Sequence, residues 1–334
     1  MFIEALPKVE LHLHLEGAIP INALLVLINK YNNDNSISIT QLHKKFEFTD
    51  FSHFLDVWTW KNQFLRECED FEFIAEQVAI NLSKQNIRYA EMYFSPSDFS
   101  KVNLQPQNIA TSIRKGLNKQ SNKITINLIA DLVRDNEPKL PLLDKILEVR
   151  NQGIIGIGLG GDELRFPPKL FKGVFYKAKE LGFYTTCHAG EAAGPDYIWQ
   201  AIQDLKVDRI GHGTNAFKDA KLVKYLIENQ IPIEMCPISN VKTNVVKSIK
   251  KHPIYQFYKK GMRVSVNTDD PKMFGTSLEN EYISLIDTFN LGLSNIYRLS
   301  QNSIKSAWCS ESLKNVLSKE LSFYFDSHNV NIDN

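Results

Sequence analysis

Four of the eight histidines lie at the ends of apolar runs of the sequence, where side chains of neighbouring strands can meet. Two of them, His12 and His14, are separated by one residue. On a β-strand, residues at positions i and i+2 point to the same face, so the two imidazoles can converge. Zinc, a borderline-soft ion, prefers such nitrogen ligands. By itself this H-x-H pair is equally consistent with two polar residues on a half-exposed strand, so its meaning depends on the other candidates.

The other candidate residues follow later apolar runs. His188 and His212 each end such a run, and Asp269 and Asp270 follow the last one. Taken singly, each is explained as well by a core histidine or a helix-capping aspartate. If the runs are strands of one barrel, however, all these residues face the same mouth, where burying them for stability alone would be unfavourable.

The number of candidate ligands indicates the kind of metal site. Three histidines and one carboxylate make a nitrogen-rich set for one divalent ion with a water in the open position. Barrel hydrolases that hold two metals often bridge them with a modified lysine on the fourth strand. The fourth run here, residues 154–163, contains no lysine, so we expect a single zinc ion.

Eight short apolar runs would position these residues. Several are continuously apolar, which is typical of parallel strands buried on both faces. Eight strands alternating with helices predict an α/β fold, a (β/α)₈ TIM-like barrel, with a doubly wound open sheet as the alternative. The runs are Val9–Leu15, Ile87–Phe94, Ile124–Val133, Ile154–Leu159, Phe183–His188, Arg209–His212, Ile231–Cys236 and Arg263–Asn267.

Amphipathic segments between the runs have apolar residues three and four positions apart, which predicts helices. Asp196 and Asp219 precede two of them in the position of an N-cap. The predicted helices are Pro168–Leu181, Asp196–Leu205, Asp219–Asn229 and Pro253–Lys260.

Two segments fall outside the repeat. Residues 18–86 form a helical insertion after the first strand, and residues 279–334 form C-terminal helices. No low-complexity linker separates them, so we expect one domain, residues 1–334. An insertion at that point would lie over the barrel mouth as a lid. Its aromatic stretch, residues 46–64, lacks the basic residues of a nucleic-acid binder and is better explained by core and lid packing.

The overall composition favours a small-molecule ligand. The chain has 39 basic and 38 acidic residues, scattered rather than clustered, so neither nucleic acid nor membrane is expected as a partner. Neither a secretion signal nor a membrane span is visible in the sequence. The four cysteines are widely spaced and form no C-x-x-C pair. We therefore expect a cytoplasmic protein with reduced thiols.

A set of motifs, together far more specific than any one of them, resembles the adenosine deaminase family over nearly the whole chain. The motifs are H-x-H (residues 12–14), G-D-E (161–163), H-A-G-E (188–191), G-H-G (211–213), C-P-x-S-N (236–240) and N-T-D-D-P (267–271). The resemblance implies that His12, His14, His188 and Asp269 hold one zinc ion.

The resemblance also implies roles for five further positions. Glu191 would protonate N1 of a purine, and His212 would help to deprotonate the attacking water. Asp270 would orient the attack and accept a hydrogen bond from the N7 side of the ring. Gly161 would offer its backbone to N3, and Glu16 stands where the family often has an aspartate that contacts ribose.

The activity implied by the resemblance is hydrolysis of adenosine or deoxyadenosine to inosine or deoxyinosine and ammonia. The motifs Gly160–Glu163 and Gly211–Gly213 depart from those typical of adenine deaminases, which favours a nucleoside over the free base. Residues 156–168 also resemble deaminases of 5′-modified adenosines such as aminodeoxyfutalosine, which we keep as the alternative. A catalytically silent relative would be expected to lose a ligand or Glu191, and this chain retains them all.

Overall fold

The computed structural model describes residues 2–32 and 37–330. Within them, eight parallel strands pair in sequence order. The His14 amide donates to the Asp269 carbonyl and the Asp269 amide to the His12 carbonyl, both at 2.9 Å, which joins the end of the last strand to the first. The strands are β1 (Lys8–His14), β2 (Ile87–Phe94), β3 (Thr125–Asp131), β4 (Ile154–Gly158), β5 (Tyr184–Ala189), β6 (Arg209–His212), β7 (Ile233–Met235) and β8 (Val264–Val266).

The predicted TIM-like barrel is therefore confirmed, and the open sheet is wrong. The bounds of each strand agree with those of a predicted apolar run to within two residues. Strands β1, β6, β7 and β8 are buried at every position. Burial on both faces is what continuous apolar runs indicate, because the barrel interior covers one face and the surrounding helices cover the other.

The helices surround the barrel as the amphipathic segments predict. Asp219 caps its helix, as predicted, by accepting hydrogen bonds from the amides of Lys221 and Leu222. The expectation for Asp196 is wrong, because the helix begins at Pro195, a residue favoured at a first helical position. The helices that follow the insertion are α6 (Pro106–Asn118), α7 (Leu140–Glu148), α8 (Lys172–Glu180), α9 (Pro195–Gln200), α10 (Ala220–Glu228), α11 (Pro237–Lys242), α12 (Ile254–Lys259) and α13 (Pro271–Phe274).

Both segments outside the repeat are helical where the structure describes them. Residues 33–36 of the insertion, residues 331–334 of the tail and Met1 lie outside the described residues. No helix in the described part of the chain is long and apolar enough to cross a membrane. The helices are α1 (Phe2–Ala5), α2 (Ile21–Tyr31), α3 (Ile39–Lys45), α4 (Phe51–Asn62) and α5 (Cys68–Lys84) near the start, and α14 (Leu278–Phe289), α15 (Leu293–Ser306) and α16 (Glu311–Ser327) at the end.

The aromatic stretch of the insertion packs onto the barrel mouth. The Phe54 ring stacks on Phe274, just after β8, at 5.3 Å between centroids. Phe48 meets the same ring edge-on at 5.8 Å. Helix α4 is thereby held beside the carboxyl ends of the strands, as predicted for an insertion after the first strand.

Candidate active site

The carboxyl ends of the barrel strands bring together a compact buried cluster of four residues, His12, His188, His212 and Asp269. One potential ligand atom from each lies within 4.8 Å of those of the other three. The four residues are at most 8% exposed. Three imidazoles and a carboxylate form a donor set that suits a divalent metal, and the cluster therefore fits one.

His14 lies against the same cluster. Its Nε2 is 3.2 Å from Nε2 of His188 and 3.3 Å from Oδ1 of Asp269. By comparison, Nε2 of His212 is 4.0 Å from the nearer Asp269 oxygen and 3.6 Å from Oε2 of Glu191. The structure thus places five candidate metal ligands together. His12, His188 and Asp269 are three of them, and either His14 or His212 could be the fourth ligand.

The state of the donors also fits a cation. Among the described residues, Nε2 of His12 has no hydrogen-bond partner although it is buried. Burial and the nearby His12 lower the pKa of His188 well below its usual value, so its imidazole is neutral. Burial would raise the pKa of Asp269, but contacts with His12 and His14 lower it well below the usual value. Neutral imidazole and ionised carboxylate are the forms that bind metals.

A buried carboxylate on β7, Glu234, fixes the orientation of His12. Nδ1 of His12 lies 2.8 Å from Oε2 of Glu234, which also accepts a hydrogen bond from the Tyr93 hydroxyl at 2.9 Å. Burial alone would raise the pKa of Glu234, but the Arg209 guanidinium lowers it to about 2. The ionised Glu234 therefore holds the proton on Nδ1 and turns Nε2 toward the cluster, as partners of metal-binding histidines do.

Arg209 stabilises this arrangement of Glu234 and His12 by pairing with Glu234. It is fully buried, contacts Glu91 and Glu234 at 2.5 Å each, and lies 3.5 Å from the centre of the Trp308 ring. We expect Arg209→Met to reduce the free energy of unfolding by about 3–5 kcal/mol, because two buried carboxylates lose their cation. Urea unfolding followed by circular dichroism measures the change.

The matched control for that prediction is Arg88, which pairs with Glu320 at 2.7 Å on the surface. Both side chains of this pair are more than a third exposed, so we expect Arg88→Met to change the free energy of unfolding by only about 0–1 kcal/mol. Equal losses in the two variants would contradict the assigned role of Arg209.

Two of the clustered residues have a left-handed backbone that is uncommon for residues other than glycine. The φ angle is +61° at His212 and +63° at Asp269. Such conformations cost of order 1–3 kcal/mol each and concentrate at functional sites. Next to His212, a Cβ on Gly211 would lie 3.0 Å from the His12 ring. The glycine therefore lets β6 approach β1 closely enough for the imidazoles to meet.

Glu191 lies beside the cluster, where burial favours the protonated form of its carboxyl group. Its Oε1 accepts a hydrogen bond from Nδ2 of Asn240 at 2.9 Å. Burial, followed by the charges of Asp269 and Glu163, raises its pKa well above the usual value. A neutral carboxylic acid at this position can donate a proton to a bound ligand.

The loop that carries Glu191 is organised by Glu163, the last residue of the G-D-E motif. The Glu163 carboxylate accepts hydrogen bonds from the amides of residues 190–193. The C-P-x-S-N motif supplies two further contacts, because Ser239 donates to Asp269 at 2.6 Å and Asn240 lies 3.2 Å from Nδ1 of His212. Sequence analysis recognised both motifs, but it assigned no role to Glu163, Ser239 or Asn240.

The remaining predicted residues occupy different places. Asp270 is 3% exposed, and burial together with the charge of Asp269 raises its pKa to about 8. Gly161 has a φ of +92° and lines the cleft described below. Glu16 is fully buried, accepts a hydrogen bond from the Ser95 amide at 3.0 Å and does not line that cleft. Its contact with a sugar stays a prediction.

The cluster lies at the bottom of an open cleft with a volume of about 230 Å³. One wall is the apolar face of α4, and the other walls carry four aspartates outside the cluster. The lining outside the cluster consists of Phe51, Phe54, Leu55, Trp58, Thr59, Ser95, Asp98, Asp131, Val133, Gly161, Asp162, Glu191 and Asp270, together with His14. Sequence analysis missed Asp98 and Asp131, although Asp131 ends β3 just as the recognised residues end their strands.

Comparison with known proteins agrees with this site. The family model described as adenosine deaminase matches residues 7–323, and the chain belongs to that family. It is therefore a hydrolytic deaminase that acts on a purine amino group.

Particular relatives differ in their substrates. The chain is 32% identical to aminodeoxyfutalosine deaminase of Streptomyces avermitilis, over 97% of this chain and 92% of that protein. It is 33% identical to adenine deaminase of Wolinella succinogenes, over 93% and 96%. The crystal structure of adenine deaminase from Arthrobacter aurescens superimposes with a TM-score of 0.92 at 29% identity, covering 96% of this chain and all of that one.

Proposed function

We propose that the protein hydrolyses the 6-amino group of adenosine or deoxyadenosine, giving inosine or deoxyinosine and ammonia, with one zinc ion per chain. The observation that carries the proposal is the position of Glu191, a buried carboxyl group with a raised pKa whose Oε2 lies 3.6 Å from Nε2 of His212 in the four-residue cluster. Addition of water to C6 of a purine disrupts the ring aromaticity, so a proton must reach N1 as the bond forms. Glu191 is placed to deliver it.

The zinc ion would be held by His12, His14, His188 and Asp269. Three nitrogens and one oxygen suit zinc better than magnesium or calcium, which prefer oxygen ligands. When bound, the ion acidifies water so that hydroxide is available near neutral pH.

The protein's own residues complete the reaction. Burial lowers the pKa of His212 to about 3, so its neutral imidazole can accept a proton from the attacking water. Asp270 orients the attack and faces the N7 side of the ring. A carbon–oxygen bond forms at C6 and the carbon–nitrogen bond breaks, so ammonia leaves and the 6-oxo purine remains. In this proposal the backbone of Gly161, which lines the cleft, contacts the N3 edge of the ring.

The cleft supports a nucleoside rather than a nucleotide. C6 and N9 lie on opposite sides of a purine, so a sugar would extend away from the cluster into the rest of the cleft. No lysine or arginine within residues 2–32 and 37–330 lines the cleft. Arg134 is turned away and donates to the backbone carbonyl of His188. A phosphate would therefore meet carboxylates without a cation to pair with.

The second candidate is a 5′-extended adenosine such as aminodeoxyfutalosine. Its support is the Streptomyces relative, which matches 97% of this chain. Free adenine is the third candidate, because the Wolinella relative bears that name.

The experiment that tests the proposal measures kcat/KM for adenosine, adenine and aminodeoxyfutalosine, together with the zinc content of the protein. We expect adenosine to lead, by about 10-fold or more, since contacts worth about 1–3 kcal/mol separate such substrates. A lead for aminodeoxyfutalosine would transfer the proposal to the second candidate. Bound zinc without turnover of any 6-aminopurine would indicate a silent relative and overturn it.

We also propose that residues 1–334 act as one domain and that the protein works in the cytoplasm. The stacking of Phe54 on Phe274 links the insertion to the barrel. The tail contributes Trp308, which lies against Arg209 at 3.5 Å. All four cysteines are free within the described residues, which agrees with a reducing compartment.

A further inference from the structure

One buried lysine near the cleft has no role in the reaction described above. Lys61, on α4, is 1% exposed. Its ammonium donates to the backbone carbonyl of Glu16 at 2.7 Å and to Oδ1 of Asn62 at 2.6 Å. It also lies 4.5 Å from the centre of the Trp58 ring. Because an isolated buried charge is costly, these contacts are what stabilises the Lys61 ammonium at this position.

The turn that accepts the Lys61 hydrogen bond supports Asp270. This turn, Glu16–Ala18, follows β1 directly. A Cβ built on Gly17 would lie 1.7 Å from Oδ1 of Asp270, so that carboxylate rests directly on the glycine backbone. Any shift of the turn would therefore change the space available to Asp270.

The charge of Lys61 acts on the same group. Its coulombic partners are the carboxylates of Glu16, Asp270 and Asp98. Burial lowers the pKa of Lys61 to about 8, so the side chain is still mostly cationic at neutral pH. Lys61 thus contributes a hydrogen bond to the turn and a positive charge to the carboxylates around it.

We propose that Lys61 is a positioning residue that ties α4, the apolar wall of the cleft, to the Glu16–Ala18 turn beneath Asp270. The wall that would contact the substrate and the carboxylate that would orient the attack are then held in one arrangement. The inference rests on the proposed function for the role of Asp270. It also predicts a physical coupling between α4 and the turn that does not depend on activity.

The test compares Lys61→Met with Lys8→Met. Lys8 is an equally buried lysine, 1% exposed, at the opposite end of β1, where its ammonium donates to three backbone carbonyls. Lys8→Met therefore reports the effect of removing a buried lysine far from the cleft. We expect Lys61→Met to lower kcat for adenosine by about 10- to 100-fold, the effect of misplacing a catalytic group by up to about 1 Å. Lys8→Met should keep kcat within about twofold, and both should keep their zinc.

A double variant tests whether Lys61 acts through the turn. Gly17→Ala pushes Asp270 out of place by a different route. If both substitutions act on Asp270, the loss of kcat in Gly17→Ala with Lys61→Met will be smaller than the product of the two single losses. A loss of kcat equal to the product of the two single losses would overturn the proposal that Lys61 acts through the turn. Lys61→Gln, which keeps a hydrogen-bond donor without the charge, replaces Lys61→Met if the latter does not fold.

Hydrogen exchange separates this inference from the proposed function. We expect Lys61→Met, but not Lys8→Met, to speed amide exchange in residues 16–18 and 51–62. Unchanged exchange there, or kcat equal to that of Lys8→Met, would overturn the role of Lys61 while leaving the deaminase assignment intact. If no adenine nucleoside is converted by the unmodified protein, the proposed substrate fails, and the exchange data still decide whether the coupling exists.

Discussion

Glu191→Gln should lower kcat for adenosine by about 10²- to 10⁴-fold, the usual contribution of a general acid. The substitution keeps the size of the side chain, and its amide oxygen can still accept the hydrogen bond from Asn240, which is 2.9 Å long in the structure. It removes the carboxyl group, whose protonated form burial and Asp269 favour by raising its pKa. Glu191 is not one of the proposed metal ligands, so metal analysis should find the zinc content unchanged.

The control for this prediction is Asp162→Asn. Asp162 also lines the cleft, but it accepts a hydrogen bond from the Arg165 amide and lies outside the metal-binding cluster. We expect its replacement to lower kcat by less than about tenfold, because only a nearby charge is removed. Loss of zinc from Glu191→Gln, or full activity in that variant, would contradict the role of Glu191.

The barrel could be predicted from the sequence because its strands are buried on both faces. The predicted run Ile87–Phe94, which is mostly apolar, became a strand with the same bounds. The candidates that end these strands could be predicted for the same reason, since the carboxyl ends of barrel strands share one mouth. His12, His188 and Asp269 meet there.

Residues that depend on tertiary placement could not be predicted in this way. Lys61 and Trp58 lie on an insertion helix. Its place after the first strand predicts that it lies near the mouth, but nothing in the local pattern specifies which of its side chains face the cleft. Glu234 lies within a short strand, where a carboxylate signals function only once Arg209 and His12 are known to face it. The sequence pattern specifies elements better than it specifies contacts between distant elements.

The sequence and the structure leave two candidates, His14 and His212, for the remaining nitrogen ligand. Ligands about 2.0–2.1 Å from a tetrahedral zinc ion are roughly 3.3 Å from one another. His14 meets this spacing twice, at 3.2 Å from His188 and 3.3 Å from Asp269. His212, at 4.0 Å from Asp269, does not. The distances therefore favour His14 as the ligand and leave His212 beside Glu191, where it can receive a proton.

Substituting each histidine separates the two roles. We expect His14→Ala to lose most of its zinc and its activity, because one of four ligands is gone. His212→Ala should keep its zinc and lose about 10²- to 10⁴-fold in kcat, as expected for removal of a general base. Metal analysis after dialysis, together with kcat for adenosine, measures both effects. Because His252 is another buried histidine, whose Nε2 lies 3.1 Å from Asn240 rather than against the cluster, His252→Ala should keep its zinc. Zinc loss from His212→Ala with retention in His14→Ala would reverse the two assignments.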